Sequence, residues 1–369
     1  MSKNIKYNFL TTDEKERYQK HLTLKEIGYE GQLSLKNSSV LCIGAGGLGS
    51  SVLLYLAAAG IGKIGIVDND YVEKSNLQRQ IIHETNTIGS LKIDSAQERI
   101  KKFNPNSELL TFAERINPKN ALEIIQKFDI ICDCSDNFGT RYLINDACLI
   151  LNKPLVFGSV QGFEGQVSVF NLNKTSPNLR DLLPESPSKN TVPSCAEYGV
   201  VGVSTGLIGI IQVNEIIKII LKKGEVLDGK IMVFDLLNMN TKKLHLKSDQ
   251  VNKQINNLSK FMDYYSDDEC STQTGTINRI NACDFNSLYK IKPNKILLID
   301  VRENEEFSAS AIDGSISLPL SHLNQKPDLE FIQKESLIKE VFTICKTGKR
   351  SEKASRILSK FKIQSRSIE

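Results

Sequence analysis

The first residues whose spacing suggests chemistry are glycines. Gly44, Gly46 and Gly49 form a G-x-G-x-x-G pattern, with Gly47 as an extra glycine. An apolar run precedes them and helix-favouring residues follow, which predicts a buried strand, a tight turn and a helix. In that order, the glycines let the backbone approach a phosphate, and the helix N-terminus supplies free N–H donors. The sequence therefore predicts nucleotide binding; a glycine-rich turn used only for packing is the alternative.

Polar and charged residues downstream would complete a site for a nucleoside triphosphate. Asp68 ends the next predicted strand, roughly 20 residues on, where a carboxylate accepts a hydrogen bond from a ribose hydroxyl. Asn76 and Arg79 follow closely, and Lys92 opens a later predicted helix. Arginine makes bidentate contacts with phosphate oxygens, and a lysine adds a second cation. Isolated surface charges are the alternative interpretation.

A third set of candidate ligands follows the predicted strand 128–132. The segment DCSDNFG carries Asp133 and Asp136 at the carboxyl end of that strand, where ligands bind in open α/β sheets. A carboxylate beside a triphosphate suits Mg²⁺, which prefers oxygen ligands. Asp136 is therefore a candidate Mg²⁺ ligand, and the N-cap of the next helix is its alternative role. Cys132 and Cys134 alternate along the strand, and we interpret them as packing residues.

Two cysteines stand where a reactive thiol could lie. Cys195 follows a long loop rich in Pro, Ser and Asn and precedes a predicted helix. It is either a nucleophile of lowered pKa or an inert buried thiol. Cys345 opens the loop KTGKR between a predicted strand and helix, where backbone N–H groups and cations favour a thiolate or persulfide. Phosphatase loops have the longer spacing C-x5-R, whereas Arg350 closes a C-x4-R loop that suits a sulfur atom better than a phosphate.

Composition and charge argue against several other classes of protein. The chain has 369 residues, with 40% hydrophobic residues and a net charge of +4 that is too small and too scattered to indicate nucleic-acid binding. The longest apolar stretch, 200–221, is interrupted by polar residues, so no membrane span is expected. Eight irregularly spaced cysteines and an N-terminal segment without signal-peptide or transit-peptide features favour a soluble protein of a reducing compartment. The richness in Lys, Asn and Ile is typical of A/T-rich genomes and fits either the cytoplasm of a bacterium or a plastid stroma.

Together these motifs resemble the molybdopterin-synthase adenylyltransferase family, the MoeB and ThiF group of relatives of ubiquitin-activating enzymes, fused to a rhodanese domain. The first resemblance spans about 16–246 and rests on GAGGLGS, VDNDYVEKSNLQRQIIH, IGSLKIDSA, DCSDNFGTRYLINDA, GFEGQVSVF and PSCAEYGVVG. The second spans about 276–369 and rests on DVRENEEF and CKTGKRS. The resemblance implies an α/β fold: a Rossmann-like ATP-binding domain with a mixed sheet over 1–246, a linker over 247–275, and a small α/β rhodanese-like domain over 276–369.

The resemblance also implies an activity. The family binds ATP and Mg²⁺ and adenylates the C-terminal Gly-Gly carboxylate of a small ubiquitin-like sulfur carrier, releasing pyrophosphate. By matching motif, Asp68 holds the ribose, Asn76 faces the nucleotide, Arg79 and Lys92 hold the phosphates, and Asp136 holds the metal.

The same resemblance assigns the sulfur chemistry and the partners. Cys195 falls where relatives form a carrier thioester or persulfide, and Cys345 falls on the rhodanese persulfide cysteine. The implied partners are the carrier, a sulfur donor such as a cysteine desulfurase, and a second copy of the chain in a homodimer. The molybdopterin synthase small subunit is the expected carrier, with thiamine and tRNA-thiolation carriers as alternatives.

Three features depart from the family pattern. Relatives carry two C-x-x-C pairs for structural zinc, but residues 178–181 read Asn-Leu-Arg-Asp here and only Cys270 lies near the second pair, so no zinc is expected. Relatives use an arginine of an R-Y-x-R motif in the partner subunit's ATP site. Lys20 stands at that position and keeps the charge without the bidentate fork. The rhodanese resemblance stops at Glu369, where relatives continue through a last helix, so a less stable domain or a less closed loop is expected.

Two other functions remain as alternatives. A dehydrogenase would explain the glycine pattern, but it leaves Arg79, Asp136 and the second domain without a role. A non-enzymatic scaffold that docks the carrier would bind it without turning over nucleotide, and the change at Lys20 favours this alternative.

Overall fold

The structure is a computed structural model that describes residues 7–184, 199–261, 265, 278–323, 326–346 and 348–368. The chain divides into two compact units, Met1–Glu269 and Cys270–Glu369. Each unit is an α/β fold, which confirms the predicted fold class.

The first unit is built on a mixed sheet of eight strands in the order β3-β2-β1-β4-β5-β6-β7-β8. Strands β1 to β5 pair in parallel, and β6 to β8 continue the sheet with antiparallel pairs. The strands are β1 (Ser39–Ile43), β2 (Lys63–Val67), β3 (Glu108–Phe112), β4 (Ile130–Asp133), β5 (Leu155–Gln161), β6 (Glu164–Phe170), β7 (Lys230–Asp235) and β8 (Asn240–His245).

Helices cover both faces of the parallel part of this sheet. On β1, Val40 and Cys42 belong to one hydrophobic core, and Leu41 and Ile43 belong to the other. A strand that is buried on both faces has a continuous run of apolar residues, so β1 can be predicted from the sequence. The helices are α1 (Thr12–Arg17), α2 (Gln19–Leu22), α3 (Gly28–Lys36), α4 (Gly47–Ala59), α5 (Lys92–Phe103), α6 (Ala121–Ile125), α7 (Phe138–Leu151), α8 (Leu179–Leu182) and α9 (Gly202–Leu221).

Helix α9 is the long apolar helix expected from the sequence, and it packs closely on α4. A Cβ on Gly209 would lie 2.1 Å from the hydroxyl oxygen of Ser51, so the two helix backbones approach closely there. Among the described residues α9 alone has the length and apolarity of a membrane span, but half of it is buried inside the protein. Its composition therefore reflects a place in the core of this unit.

Part of the segment expected as a linker, 247–275, packs on the first unit. Leu258 and Tyr265 are buried in the same core cluster as α6 and α7. The Tyr265 hydroxyl donates to Asp146 Oδ2 at 2.7 Å, and Arg180 donates to the same buried carboxylate at 2.6 and 3.0 Å. The polar composition of this segment favours a linker. Hydrogen bonds between buried polar side chains cannot be recognised from composition, because no run of apolar residues marks them.

The second unit contains a parallel sheet of five strands in the order β11-β10-β12-β13-β9. Its strands are β9 (Asn278–Ile280), β10 (Ile296–Asp300), β11 (Ile316–Ser317), β12 (Glu340–Ile344) and β13 (Ser365–Ile368), and its helices are α10 (Ala282–Ile291), α11 (Asn304–Ala309), α12 (Lys326–Glu335) and α13 (Lys349–Lys360). The last described residues thus form an inner strand of the sheet.

Candidate active sites

The glycine loop follows β1 where the strand order reverses, between β1 and β4. Gly44 has a φ of 103°, and a Cβ there would lie 2.7 Å from the carbonyl oxygen of Cys134. A Cβ on Gly49 would lie 2.0 Å from the carbonyl oxygen of Gly44. Gly46 is the N-cap of α4, whose first N–H groups have no partner within the helix. The cradle therefore fits a phosphate, and it lies where open α/β sheets bind ligands.

Asp68 follows β2 and is bonded directly to this loop. Its Oδ2 accepts the Ala45 N–H at 2.7 Å, and its Oδ1 accepts the Asp70 N–H at 2.8 Å. Burial raises the pKa of the Asp68 carboxyl above its ordinary value, although nearby Lys92 and both N–H groups oppose that rise. The Asp68 carboxyl is thus held beside the loop. Its contact with ribose stays a prediction.

Three further residues predicted to contact nucleotide already have protein partners. Lys92 Nζ lies 2.8 Å from Asp70 Oδ2, and its side chain is only 8% exposed, against 64% for Asp70. Arg79 is half-buried and donates from Nη1 to the Ser75 carbonyl at 3.2 Å. Asn76 is buried, and its Oδ1 accepts the N–H of Glu73 at 3.1 Å. The cationic groups of Arg79 and Lys92 are thus already held by hydrogen bonds within the protein.

Two buried neighbours of the loop, His83 and Gln80, were not singled out by the sequence analysis. His83 Nε2 donates to the Ala45 carbonyl at 3.0 Å, and its Nδ1 lies 3.0 Å from Ser95 Oγ on α5. Burial lowers the pKa of His83 below its ordinary value. The Gln80 Nε2 lies 3.7 Å from the position of a Cβ on Gly46, and its Oε1 has no partner among the described residues. The motif SNLQRQIIH carries both, but nothing in their spacing singles them out.

Asp136 is exposed beyond the end of β4. The alternative role as N-cap of the following helix is wrong, because Asn137 caps α7 and accepts the Thr140 N–H at 2.8 Å. Asp133 is buried, its Oδ1 accepts both donors of Ser135, and its Oδ2 has no partner among the described residues. Burial raises the pKa of Asp133. The exposed carboxylate of Asp136 fits a hard cation, although no group of three or more metal-ligating side chains occurs in the described parts of the chain.

The cysteines beneath the loop are packed rather than reactive. Cys42, Cys132 and Cys134 are buried, and Cys42 Sγ lies 3.5 Å from Cys134 Sγ. Contact with Cys134 and burial raise the pKa of Cys42, and burial raises that of the other two. A thiol held neutral in this way is a poor nucleophile.

Two further predicted site residues are Lys20 and Cys195. Lys20 is exposed on α2. Cys195 lies outside the described residues.

Hydrogen bonds fill the place where relatives are expected to bind zinc. Asp181 Oδ2 accepts two donors from Asn178, and Oδ1 accepts the Asn252 amide at 2.9 Å and the Asp249 N–H at 2.8 Å. These residues supply no thiolate, and the carboxylate oxygens already carry donors, so they do not fit a zinc ion. Cys270 lies outside the described residues, and the expectation of no zinc stays a prediction.

Cys345 lies at the end of β12 in the second unit, before α13. The Ser351 N–H donates to Sγ at 3.4 Å, and Ser351 Oγ lies 3.5 Å from Sγ. Gly348, with a φ of 78°, is the N-cap of this helix, and Ser351 lies in its first turn. Ser367 of β13 donates to the Ser351 hydroxyl at 3.0 Å. An N–H donor and a helix N-terminus next to Sγ favour a sulfur anion.

The family follows from the comparison with known proteins. The model of the ThiF family matches residues 18–255, and that of the rhodanese-like domain matches residues 286–367. The chain belongs to the ThiF family and carries a C-terminal rhodanese-like domain. This confirms the resemblance drawn from the motifs.

Several curated relatives match nearly the whole chain. A probable adenylyltransferase/sulfurtransferase MoeZ of Mycobacterium tuberculosis is 39% identical and covers 95% of this chain and 90% of its own. An adenylyltransferase and sulfurtransferase MOCS3 of Aedes aegypti is 38% identical, with 95% and 83% covered. A probable molybdopterin-synthase adenylyltransferase of Porphyra purpurea is 40% identical, with 94% and 89% covered.

Solved structures support the fold. PaaA matches with a TM-score of 0.58 at 22% identity, over 68% of this chain and 78% of its own. Escherichia coli MccB crystallised with ATP matches with a TM-score of 0.55 at 21% identity, over 67% and 75%.

Proposed function

We propose that this chain is an ATP-dependent adenylyltransferase that activates the C-terminal glycine carboxylate of a small ubiquitin-like sulfur carrier, with sulfur supplied through Cys345. The main support is the hydrogen bond that Asp68 accepts from Ala45 in the glycine loop, at the point where the strand order of the sheet reverses. This bond holds a carboxylate that can accept from ribose next to a loop that can bind phosphate, and a nucleotide site needs both. The names of the relatives support the same activity.

The reaction is a displacement at phosphorus. A carboxylate oxygen of the carrier attacks the α-phosphorus of ATP, the bond to the bridging oxygen of the β-phosphate breaks, and pyrophosphate leaves. Arg79 and Lys92 neutralise charge on the phosphates. Asn76 lies toward the nucleotide, and Asp68 orients the ribose.

Mg²⁺ would be held through the exposed carboxylate of Asp136. When bound, it would neutralise phosphate charge that the cations of the protein leave uncompensated. The role of Asp136 is therefore to fix the position of a cation at the end of β4, while the glycine loop fixes the triphosphate itself.

The proposed assembly is a homodimer. Exposed apolar side chains on α4 and α9, namely Tyr55, Val203 and Ile210, offer a surface for a second copy. In the dimer, Lys20 reaches the ATP site of the partner subunit and contributes a positive charge there.

Sulfur transfer follows adenylation. The Cys195 thiolate attacks the acyl carbon of the adenylated carrier, a thioester forms, and AMP leaves. A persulfide on Cys345, loaded by a donor such as a cysteine desulfurase, then attacks the thioester carbon, an acyl persulfide forms, and the Cys195 thiolate leaves. The small subunit of molybdopterin synthase is the proposed carrier, in keeping with the name of the Porphyra relative. Five described cysteines are free thiols, in keeping with a reducing compartment such as the cytoplasm or a plastid stroma: Cys42, Cys132, Cys134, Cys148 and Cys283.

Mass spectrometry of the intact carrier tests the proposal. The carrier, the chain, ATP and Mg²⁺ are mixed, and the carrier is expected to gain the mass of AMP. A carrier that lacks its last glycine is the control and gains nothing. An unmodified full-length carrier in the presence of bound ATP would contradict the proposal.

A further inference from the structure

The cation that closes the Cys345 loop is paired with a carboxylate. Arg350 Nη1 donates to Glu306 Oε2 at 2.6 Å, and Nη2 donates to Oε1 at 2.8 Å. This is a two-point fork, the strongest and most directional form of ion pair. The pair is only partly exposed, at 30% for the arginine and 39% for the glutamate.

The carboxylate is held in place by its own helix. Glu306 is the third residue of α11, and its Oε2 also accepts the N–H of Glu303 at 3.3 Å in a capping box. Glu306 therefore has a fixed orientation even without the arginine. The neighbouring Glu305 is exposed on the same first turn.

A second arginine near the start of this helix is also paired with a carboxylate. Arg302 donates from Nε and Nη2 to Asp300, at 2.6 to 3.0 Å, and its Nη2 also reaches the Ser310 carbonyl. Each of these two guanidinium groups thus faces a carboxylate of the protein. Lys346 is exposed in the loop, where solvent screens its charge.

Two kinds of sulfur donor differ in the negative charge that they bring to Cys345. With thiosulfate, the Cys345 thiolate attacks the outer sulfur, a new S–S bond forms, the S–S bond of thiosulfate breaks, and sulfite leaves. That step brings a dianion to a thiolate. With a hydropersulfide R–S–SH, the thiolate attacks the terminal sulfur, the S–S bond of the donor breaks, and R–S⁻ leaves, so only one negative charge is present throughout.

We propose that Glu306 is a specificity-determining residue: by holding Arg350 in a neutral pair it disfavours inorganic dianionic donors and leaves Cys345 selective for a hydropersulfide donor. The inference rests on the proposed sulfur-transfer function and deepens it, since it names the residue that selects the chemical class of the donor.

Single-turnover loading of Cys345 tests this selectivity. The wild type and the E306Q, E305Q and E306Q/R350Q variants are mixed with sodium thiosulfate, a dianion, or with the hydropersulfide of N-acetylcysteamine, which carries at most one negative charge. Gain of one sulfur atom is followed by mass spectrometry of the Cys345 peptide. In E306Q the ratio of the thiosulfate rate to the hydropersulfide rate should rise roughly fivefold or more, because Arg350 gains an uncompensated charge. E305Q removes an equal charge from the same turn and should keep the wild-type ratio, as should the double variant.

Alkylation of Cys345 gives a second readout that needs no sulfur transfer. Iodoacetate is anionic and iodoacetamide is neutral, so the ratio of their rates at Cys345 reports the local charge. This ratio should rise in E306Q, fall back in E306Q/R350Q, and decline with added salt only in E306Q. If both ratios in folded E306Q equal those of the wild type, the inference is overturned. If the wild type accepts sulfur from neither donor, the proposed function fails, and the alkylation ratio alone decides the inference.

Discussion

His83 Nε2 donates a hydrogen bond to the backbone carbonyl of Ala45 at 3.0 Å, which ties the centre of the glycine loop to a segment 38 residues further along the chain. The other ring nitrogen lies 3.0 Å from the Ser95 hydroxyl. The loop is therefore positioned from two sides: Asp68 accepts the N–H of Ala45, and His83 donates to its carbonyl.

This bond predicts a dependence of stability on pH. Burial lowers the pKa of His83, so below about pH 6.5 the unfolded chain binds a proton that the folded chain resists. The stability contributed by the neutral ring is full above that pH and is lost as the pH falls toward the folded pKa. We expect the free energy of unfolding of the first unit to decrease between about pH 7.5 and 5.5.

Replacement by glutamine isolates the contribution of this ring. His83→Gln keeps an N–H donor without a titrating group, so its urea-unfolding curves should lose part of the pH dependence of the wild type. His245→Gln, which removes an exposed histidine of β8, should keep the full dependence. Identical pH profiles for His83→Gln and the wild type would refute the assignment.

Two glycines make a matched test of the cradle. Gly49→Ala places a Cβ 2.0 Å from the Gly44 carbonyl oxygen and should destabilise the first unit by at least about 3 kcal/mol, or prevent folding. Gly206→Ala on α9 meets nothing within 4 Å and should stabilise the unit by about 0.5–1 kcal/mol. Thermal unfolding of both variants measures this difference. Equal melting temperatures would mean that the loop tolerates a side chain.

Asp136→Asn tests the role of the exposed carboxylate after β4. The variant removes a negative charge that no cap requires, so the fold should be intact while adenylation of the carrier falls by roughly a hundredfold or more. Asp94→Asn, an exposed carboxylate on α5, is the control and should keep full activity. Titration of activity with Mg²⁺ separates loss of metal affinity from loss of turnover. Full activity in Asp136→Asn at low Mg²⁺ would exclude this residue as the ligand.

Cys345→Ser tests the separation of the two activities. Sulfur transfer to cyanide should disappear, because an alkoxide cannot replace the thiolate that the loop stabilises, while adenylation stays at the wild-type rate. Cys283→Ser removes an exposed thiol of the same unit and should leave both activities unchanged. If sulfur transfer survives in Cys345→Ser, the persulfide forms on another residue and its assignment to Cys345 is wrong.

The sequence predicted those parts of the molecule whose signals are local. The strand β1, the glycine turn and the helix α4 follow one another without interruption, so apolar runs and glycine spacing are sufficient to predict them. Strand β2 lies where the sequence predicts the next strand, because Lys63–Val67 is rich in apolar and β-branched residues and Asp68 follows directly.

Contacts between distant residues could not be predicted in this way. Nothing local connects His83 with Ala45 or Arg350 with Glu306, since each pair meets only when the sheet assembles. The cap of α7 fell on Asn137 rather than Asp136, because neighbouring polar residues are equally good caps and only the backbone selects one.

ATP–pyrophosphate exchange is the decisive measurement of carrier adenylation. Purified chain is incubated with Mg²⁺, ATP and labelled pyrophosphate, with and without the small subunit of molybdopterin synthase, and then with thiamine and tRNA-thiolation carriers. We expect exchange that depends on a carrier with an intact Gly-Gly terminus. Bound ATP without exchange for any carrier would contradict adenylation and would leave a carrier-docking scaffold as the function of the nucleotide fold.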